Sequence, residues 1–373
     1  MTPSARQDPT IAAYERGAAE WAAKGRPPPD ARARARALTE GISPGPVLDA
    51  GCGPGWFAPD LGLDARTVVS LDAAAAMLRI AAVEAPAALR VQADLRALPF
   101  RRGSLAGAWA SKSYVHLARP EVPAALADLH GALAPDGRVD VRLFAGDCDH
   151  GPVTDDALGG RRFSFWPEPM LRDVVHGAGF DLDDLTQRRN PQGSDLLLRL
   201  RRARTLADSV GPGMRLLLVG LNPSLYAADV GIGFARPGNR FWPAALRARI
   251  VERDRDPRHA LVAHGVGMTD MVKRATVGAA ELRPVEYRDG LARLDRLCSW
   301  LQPDRVCIVG LAGWRAAADR RSGTGWHERG VGGRPVYVMP NPSGLNASSS
   351  LDDLAGHLRA AATSAPREPS PPG

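Results

Sequence analysis

At 373 residues the chain is long enough for two domains that each bury their own core. With 45% hydrophobic and 24% charged residues it reads as globular, and no apolar run reaches the ~18 residues that mark a membrane span. The net charge of +7 is uneven: 26 basic and 25 acidic residues precede position 205, and 22 and 16 follow, so the second half suits an anionic partner such as nucleic acid.

The opening segment to Gly25 reads as a helix with Ile11, Tyr14 and Ala18 on one face. Pro27 to Pro29 break it, and Asp30 is placed to cap the next helix, ARARARALTE. From Val47 short apolar runs alternate with helical stretches. VLDAG (47–51), TVVSL (67–71), LRVQA (89–93), GAWAS (107–111) and RVDVRLF (138–144) read as strands, with a helix over 123–133, which predicts a doubly wound parallel sheet. A helix over 168–177 follows, and the leucine run of 195–202 reads as an edge strand. RARTLADSVGPGM then loses strand character before LLLVG (216–220) restarts the alternation, which places a domain boundary near 204. VCIVG (306–310), VYVMP (336–340) and a helix over 285–301 continue the α/β pattern, and the tail 363–373 is expected to be disordered. Four cysteines, Cys52, Cys148, Cys298 and Cys307, stand far apart with no C-x-x-C pair. That spacing argues against a structural metal and fits reduced thiols in a cytoplasm. The start lacks the apolar stretch of a secretory signal. All but three of the basic residues are arginines (the lysines are Lys24, Lys112 and Lys273), so biased composition competes with DNA binding as the source of the charge.

In the first half, Asp49-Ala50-Gly51-Cys52-Gly53-Pro54-Gly55 sets three glycines at a strand-to-loop junction, where backbone can approach a ligand closely. Asp72 ends the next strand, where a carboxylate can accept from a ribose diol. The glycines fall as G-x-G-x-G, not the G-x-G-x-x-G of dinucleotide sites, and an acidic residue precedes them. Residues 40–202 resemble the class I S-adenosylmethionine-dependent methyltransferases. The resemblance implies a Rossmann-like sheet over 1–204 with S-adenosyl-L-methionine as cofactor. Asp49, Gly51, Gly53 and Gly55 would hold its methionine end, Asp72 its ribose, and Asp94 and Leu95 its adenine. The acceptor is not legible: Ala110 to Tyr114 stands where nucleobase methyltransferases carry an Asn/Asp-Pro-Pro motif. His116 and the cluster Phe163, Phe165 and Trp166 are candidates for an acceptor pocket, with capping and core packing as the ordinary alternatives.

In the second half, Gly220-Leu221-Asn222-Pro223-Ser224 follows one strand and Pro340-Asn341-Pro342-Ser343-Gly344-Leu345-Asn346 follows another. Such loops meet at the carboxyl ends of α/β strands. Between them lies Gly231 to Trp242, a glycine-rich loop interleaving aromatic and basic residues. These segments, with Gly265 to Val272, resemble the mismatch-specific uracil-DNA and thymine-DNA glycosylases. The resemblance implies a three-layer α/β/α uracil-DNA-glycosylase-like domain over 205–362, without cofactor or metal. Its partner would be double-stranded DNA carrying a mismatched or damaged pyrimidine. Asn222 would position the attacking water, Phe234 and Asn341 would bind the flipped base, and Arg240, Ser343, Gly344, Leu345 and Asn346 would contact DNA, Leu345 as a wedge. Arg240 has packing over an aromatic ring as its alternative. The sequence departs from the family at Ser224 and at Asp270, the latter expected to weaken a phosphate contact. With Lys273 the one lysine near these motifs, no Schiff-base lyase step is expected. The implied protein is thus a mismatch uracil glycosylase fused to a methyltransferase; the alternative is a methyltransferase whose second domain only grips nucleic acid.

Overall fold

The computed structural model describes residues 8–153, 156–190, 193–344 and 348–363, with Asp64 and Asn190 by backbone alone. The expected disorder of the tail therefore concerns residues that, from 364 on, lie outside the described ones. The chain divides into two compact units, residues 1–203 and 204–373.

In the first unit, α1 (Pro9–Ala23) and α2 (Pro29–Thr39) precede a sheet built from β1 (Val47–Ala50), β2 (Val68–Asp72), β3 (Leu89–Gln92), β4 (Leu105–Ser111), β5 (Leu133–Ala145), β6 (Phe165–Trp166), β7 (Phe180–Asn190) and β8 (Gly193–Arg202). The connections carry α3 (Ala58–Leu61), α4 (Ala75–Glu84), α5 (Val122–Ala132) and α6 (Glu168–Gly177). The order is β3-β2-β1-β4-β5-β8-β7, with β6 paired to β5. The β1–β6 pairings are parallel, while β8 runs antiparallel to both β5 and β7. β1 is buried along its whole length because helices cover both faces of a parallel sheet. Two expectations are corrected. The leucine run of β8 is internal, and the edge is β7, whose polar sequence FDLDDLTQRRN suits a solvated edge and hid it from a hydrophobicity reading. Asp30 does not cap α2, whose N-cap is Pro28; it sits in the first turn and pairs with Arg188.

In the second unit β9 (Leu216–Gly220), β10 (Val266–Asp270), β11 (Val306–Val309), β12 (Gly325–Val331) and β13 (Arg334–Met339) form a sheet in the order β10-β9-β11-β13-β12, parallel except for β12. The helices are α7 (Leu225–Val230), α8 (Phe241–Arg247), α9 (Pro257–His264), α10 (Pro284–Leu301), α11 (Leu311–Ala317) and α12 (Leu351–Ala362). Two apolar clusters lie on opposite faces of this sheet, as the alternation along β9 requires. Leu216 and Leu218 pack with Phe241, Trp242 and Leu358, whereas Leu217 and Val219 pack with Leu291, Leu294 and Trp314. Among the described residues no helix is long and apolar enough to cross a membrane.

Candidate functional site

In the first unit a cavity of about 990 Å³ opens at the carboxyl ends of β1, β2 and β4. Asp49, Gly51, Gly53, Asp72, Asp94 and Leu95 all line it. Gly51 and Gly53 adopt φ of 72° and 52°, conformations that L side chains rarely take. A Cβ at Gly51 would collide with Ser113, while one at Gly53 would meet no protein atom within 4 Å, so the space beside Gly53 is open. Gly55 does not line the cavity; its missing Cβ instead lets the loop approach Ala81 of α4. Asp72 accepts from the backbone N–H of Gly53 and of Ala74, 2.9 Å each, which aims the carboxylate along the loop. Burial pushes its pKa up to about 6. Asp49 is 1% exposed, and its Oδ2 has no hydrogen-bond partner. Burial, with Asp72 beside it, pushes Asp49 up to about 8. An orphaned acceptor in a ligand cavity is a demand for a donor or cation there. The Asp94 carboxylate is taken up by Arg96 (2.7 Å), which also reaches Asp8 and Glu121.

The same cavity extends past Ser111 to Tyr14, Lys112, His116, Arg142, Phe144, Phe163 and Phe165. His116 is more than a cap. Its Nδ1 lies 2.8 Å from the Arg162 carbonyl and must donate to it, so Nε2 accepts from the Tyr14 hydroxyl at 2.9 Å. Burial lowers the His116 pKa to about 4, which keeps the ring neutral near pH 7. Of the aromatic cluster, Phe163 and Phe165 face the cavity, whereas Trp166 is fully buried in the core.

In the second unit the site assembles at the carboxyl end of the parallel strands. Ser224 caps α7, its Oγ accepting from the Ala227 N–H at 3.1 Å, so the residue replacing the expected glycine has a local job. The Asn222 Nδ2 donates to the Arg274 carbonyl (3.0 Å) and to Thr276 Oγ1 (2.8 Å), and Thr276 N–H returns to the Pro223 carbonyl (3.1 Å). With the NH₂ group engaged there, the amide is oriented and its oxygen is the acceptor left to the site. Phe234 has φ 58°, a left-handed conformation unusual for an aromatic residue, and stacks on Phe241 with centroids 4.2 Å apart. One ring face is therefore held by protein. The Arg240 guanidinium, expected to contact DNA, donates to the carbonyls of Ser349 (2.5 Å) and Ser343 (3.4 Å) of its own chain. The Arg240 N–H bonds the Pro342 carbonyl (3.0 Å), Asn341 Oδ1 accepts from the Ser343 N–H (2.9 Å), and a Cβ at Gly344 would press on the Gly238 carbonyl. The Phe234 and Asn341 loops thus lie side by side. Leu345 and Asn346 lie outside the described residues.

Asp270 overturns its expectation. It ends β10 directly opposite Gly220 and is 7% exposed, so it faces the interior and not a phosphate. A Cβ on Gly220 would collide with Asp270 Oδ1 and stand 3.4 Å from Phe234 Cζ, so the carboxylate and the ring converge on that bare Cα. Burial pushes Asp270 up to about 6 against the pull of Lys273. Lys273 is itself buried and paired with Asp208 at 2.6 Å. Burial would raise Asp208, but Lys273 and Arg293 hold it below the carboxylate range.

Residues 47–137 match the family model described as a methyltransferase domain, and residues 207–361 match that of the uracil DNA glycosylase superfamily. The chain joins a methyltransferase domain to a uracil DNA glycosylase superfamily domain. Among solved structures, the methyltransferase half is similar to the 1,6-didemethyltoxoflavin-N1-methyltransferase of Burkholderia thailandensis (21% identity, 54% of this chain and 88% of that one, TM-score 0.42). An S-adenosylmethionine-dependent methyltransferase from Mesorhizobium loti matches at 20% identity over 46% of this chain and 96% of that one, TM-score 0.39. One from Methanosarcina mazei matches at 15% over 43% and 93%, also with a TM-score of 0.39.

Proposed function

We propose that the glycosylase-superfamily domain hydrolyses the N-glycosidic bond of uracil mispaired with guanine in duplex DNA, and that the methyltransferase domain uses S-adenosylmethionine. The observation that carries the first half is the pinned amide of Asn222. A carboxamide whose NH₂ is committed to Arg274 and Thr276 offers its oxygen to a water, and orienting a nucleophile is a large part of such catalysis. The water oxygen bonds to the sugar carbon as the glycosidic electron pair leaves with the base. Asp270 supplies negative charge that stabilises a cationic sugar and a base that accepts the water's proton. The flipped pyrimidine lies beside Phe234, whose strained backbone is the cost of presenting the ring there. Thymine and damaged pyrimidines are the alternative bases. Lys273, the single lysine of this domain, is buried against Asp208, so the domain works without a Schiff-base lyase step.

In the methyltransferase domain the orphaned Asp49 carboxylate and the open space at Gly53 fit a ligand that carries positive charge and presses on backbone. S-adenosylmethionine, when bound, supplies a methyl group on a sulfonium. Asp49 and the 51–53 backbone hold its methionine end, Asp72 its ribose, and Asp94 with Leu95 its adenine.

Base release from a labelled duplex with one G·U pair tests the first half, with A·U as control. The parent is expected to release uracil from G·U. Asn222→Ala is expected to lose rate on the order of 100-fold, with unchanged DNA affinity in a mobility-shift titration. No release from any uracil substrate would leave a methyltransferase whose second domain only grips nucleic acid.

A further inference from the structure

The methyltransferase cavity has two electrostatic poles. Asp49, Asp72 and Asp94 line the end assigned to the cofactor, while Lys112 and Arg142 line the other. Elsewhere in the cavity the cations are matched: Arg161 by Asp156 at 2.6 Å, and Arg96 by Asp94, Asp8 and Glu121. Lys112 and Arg142 instead share one carboxylate. Asp195, fully buried behind the wall, lies 3.4 Å from Lys112 Nζ and 2.9 Å from Arg142 Nε. Two positive charges against one negative leave that wall with an uncompensated cation. Burial and the neighbouring Arg142 both hold the Lys112 pKa below the usual lysine range, and the charge of a bound anion would oppose that shift.

Two further features point to a ligand at this spot. Lys112 directly follows β4 at φ 59°, a left-handed conformation unusual for a non-glycine residue. That backbone turns the side chain over the Phe144 ring, 4.7 Å from its centroid. Phe144 stacks on Phe165 (5.2 Å, 26°) and lies 6.0 Å from Phe163, which in turn stands 4.8 Å from His116. The result is a wall of aromatic rings, tilted by 52° between Phe144 and Phe163, beside a cationic corner. Tyr14 and Trp21 of α1 line this side of the cavity with Cys148, Pro152, Arg161 and Phe163, and α1 is anchored by Glu15 accepting from the N–H groups that open α4. An acceptor reaching the cofactor shares the cavity of about 990 Å³ with it.

We infer that the methyl acceptor is a small aromatic acid, its anion between Lys112 and Arg142 and its ring against Phe144 and Phe163. This rests on the cofactor reading of the same domain. The test is calorimetric titration of the full chain, first with S-adenosylhomocysteine, then, at saturation, with benzoate, 1-naphthoate and indole-3-acetate, each against its neutral carboxamide. Failure of S-adenosylhomocysteine to bind removes the cofactor reading and the proposal with it. With that ligand bound, at least one acid is expected to bind saturably, its carboxamide about tenfold or more weaker. Lys112→Met and Arg142→Met are each expected to lower acid affinity about tenfold with S-adenosylhomocysteine affinity unchanged. Asp195→Asn, which frees both cations, is expected to tighten acid binding, an effect that a merely structural role would not produce. Should that variant not fold, the Lys112→Met comparison decides. The proposal is overturned if no acid binds, if the carboxamides bind equally well, or if Lys112→Met weakens S-adenosylhomocysteine instead, which would make Lys112 a cofactor contact.

Discussion

In the proposed excision reaction, Asn222 and Asp270 divide the work between an oriented amide and a buried carboxylate. The amide does not titrate, so any pH dependence in the chemical step belongs to Asp270, whose pKa burial pushes up to about 6. Because that pKa is raised, Asp270 is neutral below about pH 6 and anionic above it. Single-turnover excision is therefore expected to rise with pH through 6 and level off by 7.5. Asp270→Asn should be slower at pH 7.5 by about tenfold or more, a loss of about 1.4 kcal/mol of transition-state stabilisation, and should lose the rise. A parallel pH profile in that variant would deny Asp270 its role. The residue was in view in the sequence as a departure from a family pattern. Its burial was not, because a lone Asp after GVGMT reads as easily as a surface turn, and only pairing with Gly220 turns it inward.

At the scale of elements, both sites depend on strand ends brought close by missing side chains. β9 and β10 run parallel with Gly220 opposite Asp270, and the close approach exists because Gly220 has no Cβ. Gly220→Ala is expected to push the carboxylate off its position and cut excision about tenfold or more, while Tm falls only by the few degrees of a local overpacking of about 1–3 kcal/mol. Full excision by the alanine variant would show that the approach has no catalytic meaning. The same reasoning explains which elements were legible. β1, β4, β9, β11 and β13 are apolar because helices cover both faces, and their sequences say so. β7, β12 and β10 were not assigned as strands: the first two are polar edge strands, and VGMTD mixes polar residues into a buried strand.

For the whole molecule, the buried acids of the cofactor cavity set a dependence of stability on pH. Asp49 is raised from 3.8 to about 8. A carboxyl raised in the folded state contributes stability that is complete below its unfolded pKa and lost as pH rises through the folded value. Asp49→Asn removes that loss. Its Tm relative to the parent is expected to increase between pH 4 and 8, by about 2–4 °C for each 1 kcal/mol relieved. Calorimetric scans of the full chain measure this on the transition that S-adenosylhomocysteine raises. Parallel Tm curves for the two proteins would mean that Asp49 ionises freely and carries no unmet demand for a cation.

The sequence by itself determined the α/β alternation in both halves, the glycine loop after β1 and the asparagine loops after β9 and β13, because these follow from local periodicity and from what glycine and Asn-Pro do to a backbone. Charge partnership was decided by tertiary structure alone. Nothing in the sequence shows the two carbonyls of its own chain that the Arg240 guanidinium meets. Lys112 and Arg142 read as unrelated cations until β4, β5 and β8 bring them to one buried Asp195. Whether a charged side chain meets solvent, a partner or a ligand depends on residues as far as 158 positions away in the chain, as Asp30 and Arg188 are, and no pattern along the sequence carries that distance.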